Sequence, residues 1–231
     1  MGLIEMLRVY DVHSPKIRLG NNFDGGYVIN QLAIDYGDIL VSLGSNREYS
    51  FEEDWIRYKP NSLIEIYDGT CACSNHFCGK YPQVTYIQKN IGVTEGTEHL
   101  SNILKNKSNV VLKVDIESAE YVSFDNVDLS NVVCLTLEIH NVNNKQNQQK
   151  LNRLFSNEFS TLTLFHLHAN NWGDVFNLEN YQIPTVIELS FINNKIIKEH
   201  RLDLGVFPID GIDFPNHTGR PDIKLDWINK F

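Results

Sequence analysis

The 231-residue chain reads as an α/β protein: a seven-stranded, mostly parallel sheet with helices on both faces and an antiparallel last strand. Three observations predict it. Apolar, β-branched runs of strand length recur seven times, and polar or amphipathic stretches separate most of them. The connection between the sixth and seventh runs is instead rich in Asn, Gly and Pro, so the last strand is expected to return antiparallel. The length suits a single domain spanning 1–231, with a core over about 17–192 and a C-terminal extension over about 193–231.

The expected strands are 39–44 (ILVSLG), 62–68 (SLIEIYD), 84–89 (VTYIQK), 110–116 (VVLKVDI), 133–140 (VCLTLEIH), 161–168 (TLTLFHLH) and 185–192 (TVIELSFI). After the first, SFEEDWIRY starts with Ser50 and carries Glu53 three residues later, the spacing of a capping box, so a helix begins there. A second helix is expected from Glu95 to Lys107, a short one after Glu117, and another over 145–157, where Leu151, Leu154 and Phe155 share a face. Near the start, Asn22-Phe23-Asp24-Gly25-Gly26-Tyr27 has the Asp-Gly chemistry of a hairpin turn.

Composition narrows the function. With 42% hydrophobic and 21% charged residues the chain is globular rather than disordered. Its 29 acidic and 20 basic residues give a net charge of −9, which argues against a nucleic-acid polymer as partner. No run approaches the roughly 18 apolar residues of a membrane span, and MGLIEMLRVYDVHSPK lacks the apolar stretch of a secretory signal, so a cytoplasmic protein is expected. On that expectation Cys71, Cys73, Cys78 and Cys134 are reduced thiols. A zinc site from Cys71, Cys73, His76 and Cys78 is disfavoured, because C-x-C-x4-C lacks paired C-x2-C knuckles.

Ligands of open α/β sheets bind beyond the carboxyl ends of the strands. The first strand ends at Gly44, where the backbone can turn sharply against a ligand. No further glycine follows in SNREYS, so the G-x-G-x-x-G dinucleotide fingerprint is absent. Asp68 stands 24 residues after Gly44, where an acid meets ribose hydroxyls in nucleotide-binding folds; a turn or helix cap is the competing role. The fourth, fifth and sixth strands end in Asp115-Ile116-Glu117, Glu138-Ile139-His140 and His166-Leu167-His168. Strand alternation puts both polar groups of each pair on one side, so six ionisable groups are expected to converge on one mouth. Asp115, Glu138, His140 and His168 are donors suited to Mn²⁺, Fe²⁺, Mg²⁺ or Zn²⁺. Without a metal, His140 or His168 would serve as general base. Asn170 and Asn171 add amides that bind hydroxyls, or that serve only the local turn.

Taken together, RLGNNFDGGYVI, the Gly44 loop with SFEEDW, IYDGT, LKVDIESAEY, LEIH, HLHANNWG and PTVIELSFI resemble the FkbM-like S-adenosylmethionine-dependent methyltransferases. LKVDIESAEY is similar to the family's K-x-D-x-E-G-x-E segment, with Ser118 in place of Gly. The resemblance implies the class I methyltransferase (Rossmann-like) fold. It also implies S-adenosylmethionine (SAM) over the first strand end, with Gly44 and Asn46 at its amino-acid part, Asp68 on the ribose and Asn90 near the adenine. Asp24, Tyr27 and Asp115 complete the cofactor side.

The activity expected from this resemblance is O-methylation of a carbohydrate or sugar-nucleotide hydroxyl, metal-assisted or not, as in surface-polysaccharide modification. Asp115, His140 and His168 are the expected catalytic groups, and Glu117, His166, Asn170 and Asn171 the expected acceptor contacts. Arg18, Arg47 or Arg201 would hold a diphosphate. Homo-oligomerisation is left open. The alternatives are a metal-dependent hydrolase using the same Asp/Glu/His cluster and a non-catalytic nucleotide-binding domain.

Overall fold

The structure, a computed structural model, describes residues 2–74 and 76–229; Met1, Asn75, Lys230 and Phe231 lie outside the described residues. The central sheet contains β1 (Ile39–Leu43), β2 (Leu63–Tyr67), β3 (Val84–Ile87), β4 (Val110–Val114), β5 (Val132–Ile139), β6 (Leu162–Ala169) and β7 (Ile187–Asn193). Its spatial order is β3-β2-β1-β4-β5-β7-β6. Neighbours from β3 through β5 are parallel, and β7 runs antiparallel to both β5 and β6. This is the class I methyltransferase arrangement. The last strand is antiparallel because it follows a hairpin, Val175–Leu178 with Tyr181–Pro184, instead of a crossover helix.

Six helices accompany the sheet among the described residues: α1 (Leu3–Met6), α2 (Gln31–Tyr36), α3 (Ser50–Tyr58), α4 (Leu100–Leu104), α5 (Glu120–Ser123) and α6 (Lys145–Ser156). Alternation along the strands divides the core into two apolar layers. On β4, Val110, Leu112 and Val114 face Leu100 and Ile103 of α4, Tyr121 of α5 and Leu151 and Leu154 of α6. Val111 faces the opposite layer, with Ala33 of α2 and Phe51 and Trp55 of α3. That second layer is closed by an N-terminal hairpin, Lys16–Leu19 with Tyr27–Asn30, which contributes Leu19, Tyr27 and Ile29.

Three sequence expectations change. The helix expected over 95–107 shrinks to α4, because residues 90–98 are taken up by tertiary bonds: Glu98 N–H donates to the Asn90 carbonyl at 2.8 Å and Gly92 N–H to the Glu98 carbonyl at 3.1 Å. Helix α3 does begin at Ser50, but without the expected capping box; both the Ser50 amide and hydroxyl donate to Glu48, at 3.0 and 2.9 Å. Cys73 and Cys78 form a disulfide instead of remaining free, since the turn after Ser74 brings their Cα atoms to 6.0 Å; Cys71 and Cys134 stay free.

The C-terminal stretch is part of the core. Phe207, Leu225, Trp227 and Ile228 belong to the same apolar layer as the inner faces of β4 and β5. Trp227→Ala is therefore expected to cost about 3–5 kcal/mol in urea unfolding, as for other buried aromatic residues. Leu204→Ala, at a position 81% exposed, should stay within about 0.5 kcal/mol of wild type.

Candidate functional site at the carboxyl edge of the sheet

Of the polar residues read from the strand ends, Glu117 lies past the end of β4 with its side chain 86% exposed, whereas Glu138, His166 and His168 lie on the sheet face under the N-terminal hairpin. Strand register sets them in two rows. Ser42, Lys113, Thr136, Ser190 and His166 are successive partners across β1, β4, β5, β7 and β6; nearer the carboxyl edge, Glu138, Glu188 and His168 are partners across β5, β7 and β6. The hairpin covers both. Tyr27 lies under the Lys113 ammonium, and the Ser190 hydroxyl donates to the Val28 carbonyl at 2.6 Å.

Two cavities open at this edge and share Ser45, Asn46, Asp115 and Glu117. The first, of about 420 Å³, is lined by the Gly44 loop, Asp68, Thr70, Lys89, Asn90, Ile91 and Ile116. Gly44 has φ +82°, and a Cβ there would collide with the Asp115 carbonyl, so the close approach of β1 and β4 needs glycine. Asn46 and Arg47 continue in the left-handed region, at φ +44° and +63°. Asp68 holds this turn: one carboxylate oxygen accepts from the Ser45 amide, the Ser45 hydroxyl and the Asn46 amide, and the other from the Thr70 amide and hydroxyl. Burial raises its pKa, but the Thr70 hydroxyl and these amides more than reverse that and hold the carboxyl below its usual range. The two roles weighed for Asp68, ribose ligand and local cap, thus compete for the same oxygens.

The second cavity, of about 400 Å³, is lined by Asp24, Glu48, Lys113, Asp115, Glu117, Glu138, His140, Asn170 and Trp172, among others. At its floor, ligand atoms of Asp115, Glu138 and His140 lie within 4.8 Å of one another. Each is positioned by neighbours. The Tyr27 hydroxyl sits 3.1 Å from Asp115 Oδ2 and 3.2 Å from Glu138 Oε2, so its single proton serves one carboxyl at a time. Asn170 donates to Glu138 Oε1 at 3.0 Å. His140 Nδ1 lies 2.8 Å from Glu120 Oε1, which turns Nε2 toward Glu138 at 3.3 Å. Asp115 Oδ1 is buried and has no hydrogen-bond partner.

The electrostatics follow from burial. Removal from water raises the Asp115 carboxyl, against the pull of Lys113 and His140. It pushes Glu138 up to about 8, with Asp115 and Glu188 adding to the shift and His140 opposing it. For His140, burial opposes the charge, yet Glu120 and Glu138 outweigh it and push the imidazolium up to about 11. As it stands His140 is protonated at neutral pH, not the near-neutral base expected from an imidazole alone.

Not every expected residue reaches the mouth. The β7 strand lies between β5 and β6, so Glu188 and Ser190 separate the His166/His168 pair from Glu138. His168 is instead buried between Glu188 and Asp222, each at 3.2 Å, and His166 Nε2 lies 2.8 Å from Asp213. Both histidines clamp the C-terminal segment, and His168 is no member of the metal-ligand group. Asn171 does the same work, donating to the carbonyls of His217, Arg220 and Pro221. Tyr27 supports the carboxyls from beneath, and Asp24 lines the second cavity rather than the first. Arg18 donates to the Asn21 and Phe23 carbonyls and Arg201 pairs with Asp11; neither they nor Arg47 line either cavity.

Lys113 and Glu120 fall on the K and the last E of the LKVDIESAEY motif and Glu188 lies in PTVIELSFI, but the sequence reading gave none of the three a role in the site. Lys113, in the middle of β4, donates to the Gly44 carbonyl at 3.1 Å and lies 3.7 Å from Glu52. A lysine inside the apolar run VVLKV was the available signal for it, and a second acid three residues after Glu117 was the signal for Glu120.

No family model matches the chain, and no curated protein matches it. Among solved structures, precorrin-6y C5,15-methyltransferase from Geobacter metallireducens GS-15 is 9% identical, with a TM-score of 0.37, over 71% of this chain and 87% of that one. So distant a likeness carries no argument about activity; strand order and direction define the fold.

The His168 clamp has a pH signature. Burial lowers the basicity of this imidazole, but Asp222 and Glu188 outweigh it and push the pKa up to about 10 from an ordinary 6.5. Because the folded value is raised, the stabilisation is fully present below about pH 6.5 and is lost as pH rises toward about 10. Unfolding free energy measured by urea titration should fall across that window, and His168→Gln should flatten the fall.

Proposed function

We propose that this chain is a SAM-dependent O-methyltransferase that activates a hydroxyl of a carbohydrate acceptor at Asp115, Glu138 and His140. The observation that carries the reading is the pair of cavities at the carboxyl edge of a class I methyltransferase sheet, joined at Asp115, Asn46 and Glu117. One offers a glycine turn with apolar walls at Ile91 and Ile116; the other offers buried carboxyls and an imidazole.

The first cavity fits the cofactor. Its volume lies in the range of small-molecule sites, roughly 300–1,000 Å³, and Gly44 gives close access to the backbone. A ribose hydroxyl can replace the Thr70 hydroxyl on Asp68 without uncovering a backbone amide. Bound there, SAM would supply an already activated methyl group. The chain's task is to align the acceptor oxygen and take its proton. Asp115, shared by both cavities and carrying the unpartnered Oδ1, stands where such a proton would be received.

The second cavity also suits a divalent cation. Two carboxyls and one imidazole are a donor set for Mn²⁺, Fe²⁺ or Mg²⁺, and the Glu120 carboxylate behind His140 Nδ1 is the outer partner that a metal-ligating histidine usually has. A cation held by Asp115, Glu138 and His140 would displace the proton from His140 Nε2 and lower the pKa of an acceptor hydroxyl. A metal-dependent hydrolase would use the same triad but leaves the first cavity without a purpose.

Charge narrows the acceptor. Five acids line the second cavity, against Lys113 and His140, both already engaged. An uncharged polyhydroxyl acceptor is favoured over a sugar nucleotide, whose diphosphate would meet no free cation.

Calorimetric titration with S-adenosylhomocysteine is the first test, and absence of binding sinks the reading. In a methyl-transfer assay over neutral glycosides, Glu138→Gln and His140→Ala should each lower the rate by about 100-fold or more while leaving S-adenosylhomocysteine affinity unchanged. Chelation should remove activity, and Mn²⁺ or Mg²⁺ should restore it; activity indifferent to chelation would remove the cation from the scheme.

A further inference from the structure

Trp172 is the one tryptophan held in the open. Trp55 and Trp227 are buried, whereas Trp172 is 55% exposed at the wall of the second cavity. Its exposure is not that of a loose loop. The Trp172 amide donates to Asn170 Oδ1 at 2.9 Å, and its carbonyl accepts from Arg220 Nη1 at 3.1 Å. The indole packs nearly perpendicular to the His217 ring, with centroids 4.1 Å apart. One perpendicular neighbour cannot cover both faces of an indole. Asn171, buried beside it, binds three carbonyls of the C-terminal segment and accepts from the His217 amide at 2.6 Å.

An indole carried on a hydrogen-bonded backbone, against His217 and still more than half exposed, leaves a large apolar surface in water. A ligand would bury that surface. Its chemistry is set by what surrounds the ring. Asp24 and Glu48 are acceptors for hydroxyl donors, Asn170 offers an amide, and no unengaged cation lines the cavity. A flat ligand with weakly positive C–H groups for the indole face and hydroxyls around its rim matches this setting, as a pyranose does.

We infer that Trp172 is the stacking platform for a neutral pyranose ring, and that His217 and Arg220 act as positioning residues which hold the platform in place. The platform thus lies in the β6–β7 connection, and its position is set by the C-terminal segment. The inference rests on the proposed methyltransferase only for its effect on turnover; binding of the ring to Trp172 does not.

The test uses the full chain and millimolar methyl β-glucopyranoside, methyl β-galactopyranoside, N-acetylglucosamine and maltose. At least one should shift the tryptophan emission of the wild type, since the two buried indoles are insulated from solvent. Ligand-observed NMR should show binding about ten-fold weaker in Trp172→Ala and weakened several-fold in His217→Ala, with emission from Trp55 and Trp227 unchanged as evidence of an intact fold. Wild-type emission unmoved by every glycoside, or Trp172→Ala binding as tightly as wild type, overturns the platform. Calorimetry with S-adenosylhomocysteine is run alongside: a chain that binds glycosides at Trp172 but no S-adenosylhomocysteine keeps the platform and loses the transfer reaction. Where turnover is observed, Trp172→Ala should raise KM for the acceptor about ten-fold with little change in kcat, because a stacked ring remote from the reacting oxygen contributes equally to ground and transition states.

Discussion

Glu138 is a carboxyl group on the central strand β5, 4% exposed, and the carboxyl edge of the sheet is organised around its need for partners. An unpaired buried carboxylate would cost several kcal/mol, so either the group is neutralised or its oxygens are satisfied. Here both happen. Burial raises its pKa, while Tyr27, Asn170 and His140 approach its two oxygens. Each partner brings its own requirement. His140 needs Glu120 behind it, and Tyr27 needs the hairpin over the sheet, whose Val28 carbonyl accepts from Ser190. A network of this kind holds its members in a fixed geometry.

The same constraint explains the C-terminal segment. Glu188 and His168 continue the row of Glu138 across β7 and β6, at the far side of the sheet, and line neither of the two cavities. They are satisfied by Asn216 and Asp222, and His166 by Asp213. Polar groups that would be unsupported on a bare sheet thus become the sites at which residues 209–222 attach. That attachment in turn carries His217 and Arg220 to Trp172. One buried row of side chains thus links the sheet to the position of Trp172.

Much of this was legible in the residues. Seven runs with strand periodicity became seven strands, each within about two residues of the expected ends, because β-branched residues buried on both faces have few alternatives. The meeting of the Asp115 and Glu138/His140 ends at one cavity was legible because ionisable groups seldom sit beside apolar strand cores without partners. His168 shows the limit. Its pattern in HLH is the same as that of His140 in EIH, and strand alternation correctly puts both on one face. Alternation says nothing of which strand lies next to which. Helix 95–107 failed for a related reason: local propensity favoured it, but Glu98 is bonded to Asn90, eight residues back in the chain, and tertiary bonds prevailed.

By itself the sequence determined the strands, their directions, the glycine turn after β1 and the identity of the acid-histidine pairs, since these depend on side-chain period and on backbone freedom at single positions. Only the tertiary structure decided which pairs meet. Inserting β7 between β5 and β6 assigned His140 to the cavity and His168 to the C-terminal clamp. It also left Trp172 exposed at the wall of the second cavity. Strand order is set by packing of whole layers, a long-range property that a local pattern of residues does not encode.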